Sequence, residues 1–263
     1  MTRIKTTHVG SLPRTQKVVD FIFARENRHD YDPVAFDATM TEAASETVRR
    51  QVEAGIDIVS DGETSKISYA TYVKDRYTGF DGDSPRNAPA DLKLFPSFLE
   101  RLKDDGGTPK YARPMCMGEV KSKGQGELET DIANLKAGMA AHGATEAFMN
   151  AASPGVISLF LQNQYYPTRD AYLAALADAM RDEYRTIVDS GLMLQLDCPD
   201  LALSRHMIFT DLSDAEFVGP ERVIAGSDCG FGTFAGFGAV DPDIAYAKLA
   251  TLAKGAALAS DRV

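Results

Sequence analysis

The sequence has no cluster of basic residues, no long apolar run and only three cysteines. Acidic residues outnumber basic ones by 38 to 28, which gives a net charge of −10. Binding to a phosphate backbone requires clustered lysine and arginine, so a nucleic-acid partner is not expected. A bilayer span needs about 18 or more consecutive apolar residues, so a membrane partner is not expected either.

The chain has three cysteines, an odd and small number that is typical of unpaired thiols in a reducing compartment. Its first residues, Met-Thr-Arg-Ile-Lys, lack the apolar segment of a secretory signal. We therefore expect a cytoplasmic protein. Cys116, which lies between two methionines, is predicted to be a core residue.

Predicted strands and helices alternate along the chain, which is typical of an α/β protein with a parallel sheet. The strands are predicted at 4–9, 56–60, 114–120, 147–152, 192–196 and 222–225. A (β/α)8 barrel takes roughly 250 residues, close to the 263 present here. We therefore predict a single TIM-barrel-like α/β domain over residues 1–263, with six of the eight strands of such a barrel.

Two of the predicted helices have clear boundary signals. Asp32 is a predicted N-cap with Pro33 in the first helical position, and Gly55 ends that helix. A second helix is predicted at 169–190, before Gly191. Further helices are predicted at 128–141, from Pro154, and from Pro242 after an Asp241 N-cap.

The segment 77–109 is rich in glycine, proline and aspartate and is long for a connection between two βα units. Such connections often form a lid or an extra hairpin. An exposed elaboration without a role is the alternative.

The residues that could carry chemistry follow predicted strands. Parallel α/β sheets bind ligands at the carboxyl ends of their strands. The candidates in these positions are His8, Ser11, Asp61, Glu63, Asp197, Cys198, Asp228 and Cys229. Any one of the acids could instead cap the following helix. The glycine-rich segment 230–236 lacks the spacing and the following helix of a dinucleotide fingerprint, so dinucleotide binding is not predicted.

Several motifs, in the same order along the chain, resemble the catalytic barrel of cobalamin-independent methionine synthases and their short single-barrel relatives. They are Thr7-His8-Val9-Gly10-Ser11-Leu12-Pro13-Arg14, Asp61-Gly62-Glu63, Leu196-Asp197-Cys198-Pro199-Asp200 and Ser227-Asp228-Cys229-Gly230-Phe231-Gly232. The resemblance implies a zinc-dependent methyltransferase of methionine synthesis, which moves a methyl group from a folate-type donor to a thiol such as homocysteine. Coordination to zinc deprotonates a thiol near neutral pH and makes it a nucleophile.

The resemblance also implies roles for individual residues. Val9, Ser11, Glu63 and Asp197 would hold the amino-acid part of the thiol substrate. The two carboxylates among them would face its ammonium group. Cys229 would be a zinc ligand, and no residue is assigned as a catalytic acid or base.

The sequence departs from the family pattern after Phe217. The family zinc site also uses a His-x-Cys motif and a further glutamate, and this chain contains no His-x-Cys. We therefore predict that two or three βα units, roughly 60–100 residues, are missing at the junction of 217 and 218. Either the sequence omits a segment, or the chain is a shortened relative with a broken site.

Three alternatives therefore stay open. One is alkyl transfer to another thiol, such as coenzyme M, and another is a metal-free binding protein or pseudoenzyme. The third concerns assembly, since a barrel that lacks strands has open edges that a second copy could pair with to form a homo-oligomer.

Overall fold

The computed structural model describes residues 5–84, 112–201 and 242–260, with isolated positions at 93, 96–97, 204, 208 and 210–212. These residues form seven helices and five strands. They are α1 Gln16–Glu26, α2 Pro33–Glu53, β1 Ile58–Val59, α3 Val73–Arg76, β2 Phe80–Asp81, β3 Met115–Cys116, α4 Gly126–His142, β4 Glu146–Ala152, α5 Pro154–Phe160, α6 Arg169–Asp189, β5 Met193–Asp197 and α7 Pro242–Ser260.

The helix boundaries agree with the signals in the sequence to within a few residues. The Asp32 carboxylate accepts a hydrogen bond from the Val34 amide at 2.9 Å, as expected of an N-cap. Helix α2 is followed by Gly55 with a φ of +84°, and α6 by Gly191 with a φ of +86°. Helix α1 was not predicted. It begins after an N-cap at Thr15.

Strand β4 is the centre of a three-stranded parallel sheet with the order β1–β4–β5. Ile58 pairs with Glu146, and Asn150 pairs with Gln195. Residues 147–152 are all buried, because the central strand of such a sheet is covered on both faces. The mixed α/β class with a parallel sheet is therefore confirmed.

The prediction of a strand at 4–9 is wrong over the described residues 5–9. The Thr6 carbonyl does accept hydrogen bonds from the Asp57 and Ile58 amides, at 3.2 and 3.0 Å. However, the Thr6 amide donates to the Asp57 carboxylate, and the Thr7 hydroxyl donates to the Ile58 carbonyl. Side-chain partners thus replace part of a strand ladder, although the segment still lies along β1.

The predicted strand at 114–120 is shorter than expected and does not belong to the parallel sheet. Met115 and Cys116 pair antiparallel with β2 instead. The strand ends there because the amides of Met117 and Gly118 both donate to the Gly79 carbonyl, at 2.7 and 3.1 Å. Cys116 is fully buried, which confirms it as a core residue. Most of the segment 85–109 lies outside the described residues.

A main hydrophobic core joins the sheet to α2, α4, α6 and α7. Its buried members include Leu12, Val48, Val59, Leu128, Leu135, Met149, Ile187, Tyr246 and Leu249. Helix α7 packs on α2, where the Arg50 guanidinium lies 3.9 Å from the centre of the Tyr246 ring. The apolar residues Ile244, Leu252 and Val34 are exposed, because each lies on the outer face of its helix.

The described residues contain three parallel strands and do not establish a closed TIM barrel. The predicted strand at 222–225 and the junction of 217 and 218 lie outside them. No helix in the part of the chain that the structure describes is long and apolar enough to cross a membrane.

Candidate active site

The loop after β1 holds Glu63 in an uncommon backbone conformation. Gly62 and Glu63 both have positive φ angles, +65° and +56°. A Cβ on Gly62 would lie 2.9 Å from the Thr47 Cγ2 atom, so a larger residue would collide with α2. The left-handed conformation costs a non-glycine residue about 1–2 kcal/mol, so neighbouring contacts must hold Glu63 in it.

Arg14 provides much of that support. Its guanidinium donates to the carbonyls of Glu63 at 2.6 Å, Thr64 at 3.3 Å and Lys66 at 3.2 Å. From inside the loop, the Asp61 carboxylate accepts a hydrogen bond from the Glu63 amide at 3.1 Å. Arg14 belongs to the first motif of the sequence, and the structure shows that it organises the loop that carries Glu63.

The Glu63 carboxylate is buried without a hydrogen bond. The residue is 1% exposed, and neither carboxylate oxygen has a hydrogen-bond partner. Burial raises the pKa of Glu63 to about 7, a shift that the positive charge of Lys66 opposes and the negative charge of Asp197 reinforces. Helix capping does not explain Glu63, since no amide donates to its carboxylate. It is the Asp61 carboxylate that accepts such a local hydrogen bond, from the Glu63 amide.

Asn150 and Gln195 connect the ends of three neighbouring segments. The Asn150 Nδ2 atom donates to Gln195 Oε1 at 2.9 Å and lies 3.3 Å from Asp197 Oδ1. Gln195 in turn accepts from the Gly10 amide and donates to the His8 carbonyl, both at 3.4 Å. These contacts bring the segment 8–10, β4 and β5 together at the carboxyl edge of the sheet.

Lys66 supplies a buried positive charge at this edge. Its Nζ atom donates to the Asn150 carbonyl at 2.6 Å and lies 4.4 Å from the centre of the Tyr72 ring. Burial raises the pKa of Asp197, and the charge of Lys66 opposes that shift. Glu63, Asp197 and Lys66 therefore form one electrostatic group with two acids and one base.

The remaining predicted residues have different surroundings. Ser11 is buried, and its hydroxyl has no hydrogen-bond partner. Val9 is exposed. His8 Nε2 lies 3.0 Å from Gln51 Oε1 and 3.1 Å from the Ser60 hydroxyl, and burial lowers the pKa of His8.

A zinc site cannot be assembled from the described residues. No group of three histidine, cysteine, aspartate or glutamate side chains among them could hold a metal ion. Burial raises the pKa of the Cys198 thiol, which disfavours the thiolate form that zinc binds. Cys229, the predicted ligand, lies outside the described residues.

Lys66, Asn150 and Gln195 were not among the predicted site residues. Asn150 and Gln195 did leave a signal, because each is a polar residue inside an otherwise apolar strand. Such a residue needs a hydrogen-bond partner or a ligand when the strand is buried. Lys66 left no comparable signal, since lysine in a loop is common.

No protein-family model matches the chain. A methionine synthase of Sulfolobus acidocaldarius is 26% identical over 204 residues, which make up 76% of this chain and 52% of that protein. The chain therefore spans about half the length of this curated relative.

Two solved structures resemble the fold. A B12-independent methionine synthase from a Shewanella species, in complex with selenomethionine, has a TM-score of 0.59 at 19% identity, over 87% of this chain and 60% of that one. A provisionally assigned B12-independent methionine synthase from Listeria monocytogenes has a TM-score of 0.51 at 18% identity, over 74% of this chain and 53% of that one. These matches agree with the resemblance that the motifs indicated: the chain is similar in sequence to a methionine synthase and similar in fold to two B12-independent methionine synthases.

Proposed function

We propose that the chain is a methyltransferase of the methionine synthase type, which binds an amino-acid thiol such as homocysteine at the edge formed by Glu63 and Asp197. One observation carries this proposal. The Glu63 carboxylate is buried, has no hydrogen-bond partner and lies within the electrostatic influence of a second carboxylate. A buried carboxylate without partners is costly, and a bound ammonium group would supply both a positive charge and hydrogen-bond donors.

The residues of this edge would bind and orient the substrate. Glu63 and Asp197 would accept hydrogen bonds from the ammonium group, and Glu63 would lose its proton when the ligand binds. The Ser11 hydroxyl, which has no partner of its own, would contact the substrate carboxylate together with the backbone of Val9. Fixing the amino-acid part in this way limits the positions open to the thiol, which favours reaction.

The charge of the site favours this substrate over a sulfonate thiol such as coenzyme M. A sulfonate is negatively charged and would be repelled by Glu63 and Asp197, whereas an ammonium group would be attracted. A metal-free binding protein is the second candidate, because the donors among the described residues do not fit zinc. Turnover of homocysteine would decide against that candidate.

Zinc and the folate-type methyl donor are proposed from the family resemblance alone, with Cys229 as a zinc ligand. Bound zinc would supply deprotonation of the substrate thiol. Elemental analysis of the purified protein and of Cys229→Ser tests this ligand. Zinc in the wild type and its loss in the variant are expected, whereas equal zinc in both proteins would contradict the assignment.

The proposed missing units and the proposed homo-oligomer have a common test. Intact mass spectrometry shows whether the functional protein is larger than the 28.5 kDa of this sequence. A protein of that mass that is monomeric and free of zinc would contradict the missing-segment and the oligomer proposals, and with them zinc-dependent methyl transfer.

Calorimetry with L-methionine and L-homocysteine tests the substrate site. A hydrogen bond to a charged group contributes about 1.5–3 kcal/mol, so Glu63→Gln and Asp197→Asn should each weaken binding about tenfold or more. Glu129→Gln, an exposed position on α4, is the control and should bind like the wild type. Unchanged affinity in both site variants would end the proposal.

A further inference from the structure

We propose that Asn150 is a third acceptor for the substrate ammonium group and makes the site selective for a primary amine. The inference rests on the proposed function and goes beyond it, because it assigns a specificity-determining role to Asn150. Three observations support it: the orientation of its side-chain amide, the unused capacity of its side-chain oxygen, and the number of acceptors at this edge of the sheet.

The neighbours of Gln195 determine which way the Asn150 amide points. A backbone amide can only donate, so the Gln195 atom that lies 3.4 Å from the Gly10 amide is the oxygen Oε1. A backbone carbonyl can only accept, so the Gln195 atom that faces the His8 carbonyl is the nitrogen Nε2. Asn150 must therefore present its nitrogen to Gln195 Oε1, and the distance between these two atoms is 2.9 Å.

This orientation leaves the Asn150 oxygen Oδ1 without a partner. The residue is 1% exposed, and Oδ1 accepts no hydrogen bond. Lys66 does not satisfy it, because the Lys66 ammonium donates to the backbone carbonyl of the same residue. A buried amide oxygen without a donor is unfavourable, so a ligand that supplies a donor would be preferred over one that does not.

The acceptors at this edge match a primary ammonium group in number. Glu63 and Asp197 offer carboxylates, and Asn150, whose nitrogen lies 3.3 Å from the Asp197 carboxylate, offers an amide oxygen. A primary ammonium has three N–H donors, one for each of the three acceptor groups. An N-methylated amine has two, so it would leave one buried acceptor unpaired and would place a methyl group among polar atoms.

Calorimetry with L-methionine and N-methyl-L-methionine tests this inference. The wild type should prefer the primary amine about tenfold or more, the factor that one lost hydrogen bond to a polar site produces. Asn150→Leu removes the acceptor and keeps the size of the side chain, so the preference should fall below about threefold. Asn134→Leu, whose amide oxygen contacts Thr41 on α2, is the control and should keep the wild-type preference.

A second variant addresses the positioning role of Gln195 and covers the case in which Asn150→Leu does not fold. Gln195→Leu removes the oxygen that orients the Asn150 amide, so the preference for the primary amine should again decrease. This ratio between two ligands is not changed by a loss of stability alone. If the affinities for both ligands fall by the same factor, Gln195 has a structural role only, and the inference is contradicted.

The outcomes separate the inference from the proposed function. A wild-type protein that binds neither ligand would overturn the proposed amino-acid site and the inference with it. A wild-type protein that binds L-methionine, with full discrimination retained in Asn150→Leu, would overturn only the role of Asn150. Loss of discrimination in Asn150→Leu, with L-methionine still bound, would support both.

Discussion

Among the described residues, Glu63 and Glu183 are almost completely buried, at 1% and 0% exposure, but their surroundings are opposite. Glu183 accepts hydrogen bonds from the hydroxyls of Tyr72 at 2.6 Å and Tyr77 at 2.8 Å, and from Arg76 at 3.2 Å. Glu63 accepts none with its carboxylate. The chain itself satisfies the first carboxylate, whereas the second has acceptor capacity that a ligand can use.

The difference shows that burial of a charge does not by itself identify a site. Glu183 connects α6 to the segment 72–77, and Arg76 continues the network to Asp131 of α4 at 2.6 Å. A complete network of this kind is part of the scaffold. An incomplete one, in which geometry is maintained but hydrogen bonds are missing, has free acceptors to which a ligand could donate.

The largest effect is expected for Glu183→Ala. The variant leaves two tyrosine hydroxyls without their acceptor and removes one of the carboxylates that face Arg76. Breaking a buried ion pair in this way costs about 3–5 kcal/mol, so the free energy of unfolding should decrease by about that amount. Denaturant unfolding measures the change.

A control for this prediction lies on the same helix. Asp178 is exposed and pairs with Arg181, so Asp178→Ala should change stability by less than about 1 kcal/mol. Similar losses in the two variants would remove the distinction between a paired network and a surface ion pair.

For Glu63→Gln we expect a smaller change in the free energy of unfolding, and in the opposite direction: the variant gains stability. The pKa of Glu63 is about 7 in the folded protein and 4.5 for the free side chain, so the folded state binds the proton more tightly. Protonation of Glu63 therefore adds to the free energy of unfolding. This contribution is fully present below pH 4.5 and is lost as the pH rises through 7. At pH 8 the variant should therefore be more stable than the wild type by about 1–3 kcal/mol.

The pH dependence of that difference provides the check. Unfolding at pH 5, where Glu63 is still protonated in the folded protein, should show little difference between the variant and the wild type. A variant that is less stable than the wild type at pH 8 would mean that Glu63 is a supporting residue like Glu183.

The smallest effect concerns binding. An ammonium ligand needs Glu63 ionised, so its affinity should decrease about tenfold for each pH unit below 7 and level off above 7. Calorimetric titrations of L-methionine from pH 5.5 to 8 measure this slope. The Glu63→Gln variant should bind L-methionine weakly, and its affinity should depend less on pH. An equally steep pH dependence in the variant would mean that a group other than Glu63 titrates.

The sequence predicted those parts of the fold that local signals determine. Asp32, Gly55 and Gly191 mark helix ends through their own backbone preferences, and each lies where it was expected. The strand at 114–120 was assigned to the wrong sheet, because an apolar run does not indicate which strand it will pair with. Its pairing with Phe80 depends on contacts between residues far apart in the chain.

The candidate site was predictable only in part. Glu63 and Asp197 were found because acids at the carboxyl ends of strands are informative, although the functional roles assigned to them stay predictions. Asn150 and Gln195 were missed because the hydrogen bonds of a side chain in a strand depend on the residue opposite it in the neighbouring strand. The register that places these two side by side is set by the whole sheet.

The packing of α7 on α2 has a consequence for the order of folding. Arg50 donates to Asp243 at 2.7 Å across 193 positions of the chain, and its guanidinium covers the Tyr246 ring. Contacts between such distant residues form slowly, because the intervening loop must close first. In pulsed hydrogen exchange we therefore expect the amides of α7 to gain protection after those of α2 and α4, whose contacts are closer in sequence.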